Sequence, residues 1–315
     1  MRSFNIAFTL GEYHVEQFPF LRYLPSWFPL ANFKRELPRW RADASRLRDV
    51  PWDAAMEAMS RGNATPSMAS TLIGDPSDTV EEDVIIAKGA SASAYAAGAD
   101  TTFATFTMFV AAMVLLPKAQ RLAQAELDAV IGPDRLPTVS DKSSLPYISA
   151  LITEVFRWQP VVPTGVIHLA MEEDEYRGYR IPRGTVVIPN PWAYSRDPAV
   201  YPDPEEFRPE RYLRDGKVEL GDRGPAAFVF RYGRRVCPGR YFAEELLFTT
   251  IASVLHCFNI SPPRNEWGEP AKFELKFLDT SPMLPEPFEC GIRPRSMIAK
   301  ELLRALCSES ELRAL

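Results

Sequence analysis

The 315-residue chain is long enough for one large domain or two ordinary ones, and its 46% of apolar residues allow a sizeable core. Its net charge of −5 argues against a general nucleic-acid-binding protein. The four cysteines, Cys237, Cys257, Cys290 and Cys307, form no CxxC pair. The sequence therefore indicates neither a zinc site nor a disulfide framework.

The predicted elements of the first half are helices. One is predicted near Phe33–Arg61, and a longer one covers 79–116. The most apolar part of that second helix, 101–116, is short for a bilayer span and is interpreted as a buried core helix. Two shorter helices follow, at 117–132 and 145–158. Pro117 lies near the start of the first, and Gly132 ends it.

The second half is richer in loops, because prolines concentrate between Pro160 and Pro209. The β-branched run Val186-Val187-Ile188 predicts a strand within this region. A helix is predicted over 241–256.

Two polar pairs stand out within the helices. Asp100 and Thr101 lie side by side among small residues, where the structural interpretation is a helix bent by hydroxyls bonding its own carbonyls. Glu154 and Arg157 are three residues apart and so share a helix face. Apolar neighbours indicate that this second pair is partly buried, where breaking an ion pair is costly.

The segment with the most chemical content is 230–240, in which one cysteine lies between two glycines and follows three arginines. Gly233 permits a tight turn, and Gly239 permits close backbone approach beyond the sulfur. Cys237 precedes a predicted helix, whose N-terminal N–H groups favour an anionic sulfur. Such a loop suits a metal that needs one strong donor from one side.

This segment resembles the haem-ligand loop of cytochrome P-450 monooxygenases, Phe-x-x-Gly-x-Arg-x-Cys-x-Gly. Its fixed positions are occupied by Phe230, Gly233, Arg235, Cys237 and Gly239. The resemblance implies that Cys237 is the axial thiolate of haem b, iron protoporphyrin IX. The alternative is a buried structural cysteine beside a basic patch.

The same resemblance implies roles for other parts of the haem site. Arg235 and His168 would meet haem propionates, with a surface histidine as the alternative for His168, and Phe230 would pack under the sulfur. Asp100 and Thr101 fit the family pattern Ala/Gly-Gly-x-Asp/Glu-Thr and would relay protons during oxygen activation. Gly98 would leave room there for dioxygen.

A structural network is also implied. Glu154 and Arg157 match the Glu-x-x-Arg of the family core, and Arg211 would be the third member. A guanidinium can bridge a carboxylate and carbonyls in fixed geometry, as lysine cannot. The network is expected to brace the loop that carries Cys237.

For the fold, the resemblance implies a mainly α structure with small β-sheets (α+β), of which only the C-terminal portion of the cytochrome P-450 fold is present. The tail at 285–295 resembles the closing hairpin of that fold. Residues 1–315 are expected to form a single haem-thiolate monooxygenase domain that lacks the N-terminal membrane anchor, the first sheet and the early helices. The position expected by resemblance is the cytosolic face of the endoplasmic reticulum membrane, although no anchor or signal is visible in this chain.

For the function, the resemblance implies insertion of one oxygen atom of O2 into an apolar small molecule, a terpenoid or aromatic secondary metabolite of the fungal type. Electrons would come from NADPH through a partner reductase, which could dock on the arginines around Cys237. Two alternatives remain. One is a non-catalytic truncated remnant of such an enzyme, and the other is a haem-thiolate isomerase or dehydratase, which the Asp100–Thr101 pair disfavours.

Overall fold

A computed structural model describes residues 13–74, 80–220 and 224–314, with side chains up to residue 306. The side chain of Cys307 therefore lies outside the described residues. The Cα positions divide the chain into two compact units. Unit 1 comprises 1–101 with 279–282, and unit 2 comprises 102–278 with 283–315.

Unit 1 is helical. Its elements are α1 (His14–Gln17), a 3-10 helix (Pro19–Tyr23), α2 (Phe33–Ser60), α3 (Met68–Ile73) and the first part of α4 (Glu81–Leu115). A small core forms where Trp52 of α2 packs with Ile73 and Ala87. Lys88 of α4 adds an ion pair to Asp49 of α2, at 2.9 Å. The predicted helix near 33–61 is confirmed.

The long helix α4 crosses the boundary between the units after Thr101. Its C-terminal turns are buried in unit 2, with Met108, Phe109 and Met113 fully enclosed. In the part of the chain that the structure describes, this is the one helix long and apolar enough to cross a membrane, yet 56% of its most apolar stretch is buried. The prediction of a buried core helix at 101–116 is confirmed.

Unit 2 contains one large apolar core and a smaller one around Tyr201 and Phe228. Its helices are α5 (Pro117–Val130), α6 (Pro146–Trp158), α7 (Pro191–Ser195), α8 (Ala226–Val229), α9 (Arg240–Cys257) and α10 (Met297–Ala314). Helices α5, α6 and α9 share the large core, and each contributes a fully or nearly fully buried residue to it: Leu127, Leu151 and Phe248, respectively. Proline occupies the first position of α5 and α6, where its missing N–H costs no hydrogen bond.

A carboxylate from a neighbouring helix completes the start of α6. Glu126 of α5 accepts hydrogen bonds from the backbone N–H groups of Tyr147 and Ile148, at 2.8 and 3.0 Å. These are among the N–H groups that a helix leaves without an internal partner, and a negative charge is stabilised at that end. The contact therefore fixes α6, the element that carries Glu154 and Arg157.

The strands of the described residues form two-stranded antiparallel sheets. Their bounds are β1 (His168–Leu169), β2 (Asp174–Tyr176), β3 (Tyr179–Ile181), β4 (Val186–Val187), β5 (Leu213–Arg214), β6 (Lys217–Val218), β7 (Phe258–Ser261) and β8 (Gly291–Pro294). The pairs are β1 with β4, β2 with β3, β5 with β6, and β7 with β8. The expected mainly α fold with small sheets is confirmed.

The C-terminal tail differs from the predicted hairpin at 285–295. Strand β8 pairs with β7, so that Gly291 lies opposite Ser261, thirty residues earlier. Two isolated antiparallel bridges, Arg264 with Pro270 and Phe277 with Pro285, lie between β7 and β8 in the described residues. The reason is that β7 follows directly from the end of α9 and presents a strand edge with which the tail can bond.

Candidate active site

The loop that carries Cys237 is closed by a backbone hydrogen bond. The N–H of Cys237 donates to the carbonyl of Phe230 at 2.8 Å. The chain reverses between them through two left-handed residues, Arg231 (φ 72°) and Gly233 (φ 53°). Gly233 adopts this conformation without a Cβ clash, as its sequence position predicted, whereas Arg231 adopts it at an energetic cost.

Cys237 is a free, half-buried cysteine that precedes α9 by three residues. Gly239 caps that helix, and a Cβ built on it would lie 3.9 Å from the Sγ of Cys237, an ordinary contact distance. The protein atoms alone therefore do not require glycine at this position. Such a requirement would have to come from a group bound over the sulfur.

Aromatic packing joins the loop to the core. The rings of Phe230 and Phe156 meet edge to face, with centroids 5.3 Å apart. Phe156 lies on α6, and both rings are about nine-tenths buried. The edge-to-face arrangement is favourable for aromatic pairs beyond the area that they bury.

The donor set fits a haem better than a metal ion bound by protein alone. Within the described residues, His, Cys, Asp and Glu form no group of three or more that could hold a metal. A structural zinc ion needs about four such ligands. One open sulfur is sufficient when the metal brings its other donors on a macrocycle, as haem iron does. The residues present therefore fit haem.

His168 lies at the start of β1, opposite Val187 of β4. Its Nε2 is 3.5 Å from a terminal nitrogen of Arg231. Arg235, the arginine that the resemblance assigned to a propionate, is exposed instead. His168 thus lies against the Cys237 loop, at Arg231. The sequence alone did not distinguish Arg231 from the other arginines of that loop.

In unit 1, Asp100 is buried, with only 8% of its surface exposed, and its Oδ2 has no hydrogen-bond partner among the described residues. Burial raises the pKa of this carboxyl above its usual range. The Oγ1 of Thr101 donates to the carbonyl of Ala97 at 2.7 Å. That bond is the one expected from the structural interpretation, which does not account for the unpaired carboxyl oxygen of Asp100.

The Glu154–Arg157 pair is fully buried. Arg157 donates through Nε and a terminal nitrogen to the two oxygens of Glu154, both at 2.8 Å. Arg211 donates its Nε to the same carboxylate at 3.2 Å. The backbone N–H of Arg208 adds a fourth bond at 2.8 Å. One carboxylate thus anchors a helix to a segment more than fifty residues away.

The remaining donors of Arg157 point to backbone carbonyls. They bond to Ser195 at 2.9 Å, Pro204 at 2.6 Å and Glu206 at 3.1 Å. The bonds that this network makes among the described residues hold the segment 195–211. The link from α6 to the Cys237 loop runs through the Phe156–Phe230 contact instead, so the expected brace on that loop is indirect.

The family model described as Cytochrome P450 matches residues 84–284. The chain is 42% identical over 311 residues to Cytochrome P450 monooxygenase COX2 of Coprinopsis cinerea, covering 96% of this chain and 58% of that protein. It is 41% identical over 304 residues to Cytochrome P450 monooxygenase claR of Ampulloclitocybe clavipes, covering 96% and 56%.

A third relative is O-methylsterigmatocystin oxidoreductase of Aspergillus flavus, 38% identical over 309 residues, with 97% of this chain and 57% of that protein covered. Among solved structures, a zebra fish cytochrome P450 with progesterone is similar, with a TM-score of 0.67 and 29% identity. That match covers 82% of this chain and 59% of the other. The chain thus spans a little under three fifths of the relatives that it matches, and it belongs to the cytochrome P450 family.

Proposed function

We propose that the chain carries the haem-binding portion of a monooxygenase that inserts one oxygen atom of O2 into an apolar small molecule. The observation that carries the proposal is the free, half-buried Cys237 on a glycine-containing loop at the start of α9. Cys237 would be the axial ligand of haem b, which supplies oxygen activation when it is bound. Residues 1–315 would act as one haem-thiolate domain.

The chain's own residues would hold the cofactor in place. Phe230 supports the sulfur side of the loop, and its buried ring fixes the backbone oxygen that bonds to Cys237. Gly233 provides the reversal, and Gly239 leaves space over the sulfur. His168 and Arg235 would bind the haem propionates, as the family motif suggests, with the half-buried His168 better shielded from solvent than the exposed Arg235.

Asp100 and Thr101 would handle protons. Burial favours the protonated carboxyl of Asp100, so its Oδ2 can hold a proton closer to neutral pH than an exposed aspartate does. The hydroxyl of Thr101 is oriented by its bond to Ala97. This pair is the feature that favours an oxygenase over a haem-thiolate isomerase or dehydratase.

The substrate class and partners are inferred from the relatives. One is named for O-methylsterigmatocystin, and a similar structure contains progesterone, so both names refer to largely apolar multi-ring molecules. We infer a terpenoid or aromatic secondary metabolite as substrate. Electrons would come from NADPH through a cytochrome P-450 reductase, at the cytosolic face of the endoplasmic reticulum. The exposed Arg234, which is not assigned to a propionate, would be part of the docking surface.

The test is the difference spectrum of the reduced, haem-loaded 315-residue chain with carbon monoxide. Thiolate ligation shifts the Soret band far to the red, and Cys237→Ala is expected to abolish that band. Cys290→Ala is the matched control, because Cys290 is also free and half-buried. It is expected to keep the band.

A shifted band that survives in Cys237→Ala would disprove the ligand assignment. A chain that takes up no haem, or shows only the unshifted band, would favour the alternative of a non-catalytic remnant. Formation of a product without O2 consumption would favour the isomerase or dehydratase alternative.

A further inference from the structure

Arg231, in the turn between Phe230 and Cys237, has a strained backbone. Its φ of 72° lies in the left-handed region, which glycine adopts freely and other residues adopt at a cost. Glycine would serve the turn between Phe230 and Cys237 at least as well. Strained residues persist where the surroundings or a function hold them, so the reason for an arginine here must lie in its side chain.

That side chain is only partly satisfied. The Nε of Arg231 is buried and has no hydrogen-bond partner among the described residues. A terminal nitrogen approaches the Nε2 of His168 at 3.5 Å. A guanidinium carries only donors, and a buried donor without a partner is unfavourable. The site therefore lacks an acceptor.

An anion is the acceptor that best matches the positive charge of this guanidinium. Among the described residues, no acidic side chain forms an ion pair with Arg231. His168, the neighbour that the structure does provide, is an imidazole and not an acid. A carboxylate offers two oxygens in a plane, which matches the forked donors of a guanidinium.

We propose that Arg231 and His168 form a two-residue carboxylate clamp that binds a haem propionate beside the Cys237 loop. The inference rests on the proposed haem function and adds Arg231 as a cofactor-binding residue. It also explains the strained backbone, since the left-handed turn at Arg231 directs the guanidinium back toward β1. A carboxylate on a small-molecule ligand is the other source of the same chemistry.

The experiment uses porphyrins that differ only in their carboxyl groups. Metal-free protoporphyrin IX and its dimethyl ester are titrated into the 315-residue chain, and fluorescence quenching gives the two dissociation constants. We expect the wild-type chain to prefer the diacid. Arg231→Gly is expected to lower that preference about 10-fold, the scale of one charged hydrogen bond, and Arg231→Lys is expected to lower it less.

A matched control separates the lost side chain from the relaxed backbone. Arg177 in the β2–β3 turn is also a left-handed arginine, with φ 52°, and it is exposed. Arg177→Gly therefore relieves the same kind of strain at a distance in sequence from the loop. It is expected to leave the preference for the diacid unchanged.

The outcomes distinguish this inference from the proposed function. Because the porphyrin lacks iron, Cys237→Ala is expected to keep the effect of Arg231, even though it loses the shifted carbon monoxide band. The clamp alone would be overturned by two results together: the haem-loaded chain shows the shifted band, and wild type and Arg231→Gly prefer the diacid equally. Benzoate serves as a probe for a carboxylate on a small-molecule ligand. If Arg231→Gly loses benzoate binding but keeps the preference for the diacid porphyrin, the propionate assignment is overturned in favour of a ligand carboxylate.

Discussion

Arg157 and Glu154 form an ion pair in which neither side chain is exposed to solvent. The carboxylate of Glu154 accepts hydrogen bonds from Arg157, Arg211 and the backbone N–H of Arg208. The pair therefore combines an intrahelical salt bridge with a long-range attachment. Replacing either partner leaves a buried charge without compensation, which is far costlier than losing a surface pair.

The first prediction concerns this pair. Glu154→Gln is expected to lower the free energy of unfolding by about 3–5 kcal/mol, as measured by urea denaturation. Arg157→Lys is expected to be similarly harmful, because a single ammonium cannot bond to Glu154 and to three carbonyls at once. The control is Arg180→Lys, which alters the exposed pair with Glu173. An equal effect of the two lysine variants would contradict the prediction.

A second prediction concerns Gln120, whose amide group bonds to the backbone of Ile260 in both directions. Its Nε2 donates to the carbonyl at 2.8 Å, and its Oε1 accepts from the N–H at 2.7 Å. Gln120→Leu leaves two buried backbone groups unpaired and is expected to cost about 2–4 kcal/mol, on the scale of about 1–3 kcal/mol per group. Gln120→Glu keeps one acceptor oxygen but, when ionised, sets its other oxygen against the carbonyl of Ile260. Urea denaturation should therefore show a loss that shrinks as the pH falls, because the protonated carboxyl can donate again. A loss that does not change with pH would contradict this explanation.

A third prediction follows from the raised pKa of Asp100. A carboxyl whose pKa is higher in the folded than in the unfolded protein contributes stability below its ordinary pKa of 3.8 and loses it as the pH rises through the folded value. Asp100→Asn has no charge to bury. Its stability relative to wild type is therefore expected to increase as the pH rises from about 4 to about 7, by at most about 1.4 kcal/mol per pH unit.

Denaturation curves at several pH values measure this difference. A gap between Asp100→Asn and wild type that stays constant over that range would show that burial does not perturb the carboxyl. Since the same residue is the proposed proton donor, the stabilised variant is also expected to lose oxygenase turnover.

A fourth prediction separates packing from function at Gly98. A Cβ added there meets no atom within 4 Å, and the same is true of Gly89 in the same helix. Alanine at either position is expected to stabilise the protein by about 0.5–1 kcal/mol, because glycine is unfavourable in a helix interior. If Gly98 leaves room for dioxygen, only Gly98→Ala should slow the binding of carbon monoxide to the reduced haem. Equal binding rates in the two variants would remove that role.

The local part of this protein is predictable from its sequence. Helix α6 begins at Pro146, where the missing N–H costs nothing, and α9 follows the turn that Gly233 permits. The family motif around Cys237 is likewise contiguous, so its residues can be identified from the amino-acid sequence alone. These features depend on dihedral preferences and on the spacing of neighbouring residues, which sequence expresses directly.

The site residues outside that motif were less accessible to prediction. The sequence singled out His168 and Arg235 by resemblance, but it carried no signal that Arg231 is left-handed and lies against His168. The closing hairpin was misplaced for a similar reason, since the partner of β8 is β7 and not its own neighbour.

The helices α2, α4, α5, α6 and α9, the family and the position of the thiol thus follow from the order of the amino acids. The meeting of distant groups does not, and it became visible only in the folded chain. Gln120 bonds to Ile260, 140 residues away, and Arg231 lies against His168, 63 residues away. The physical reason is that periodicity and turn preferences act over a few residues. Contacts between distant segments are selected by the packing of the whole core, in which each buried polar group must find a partner.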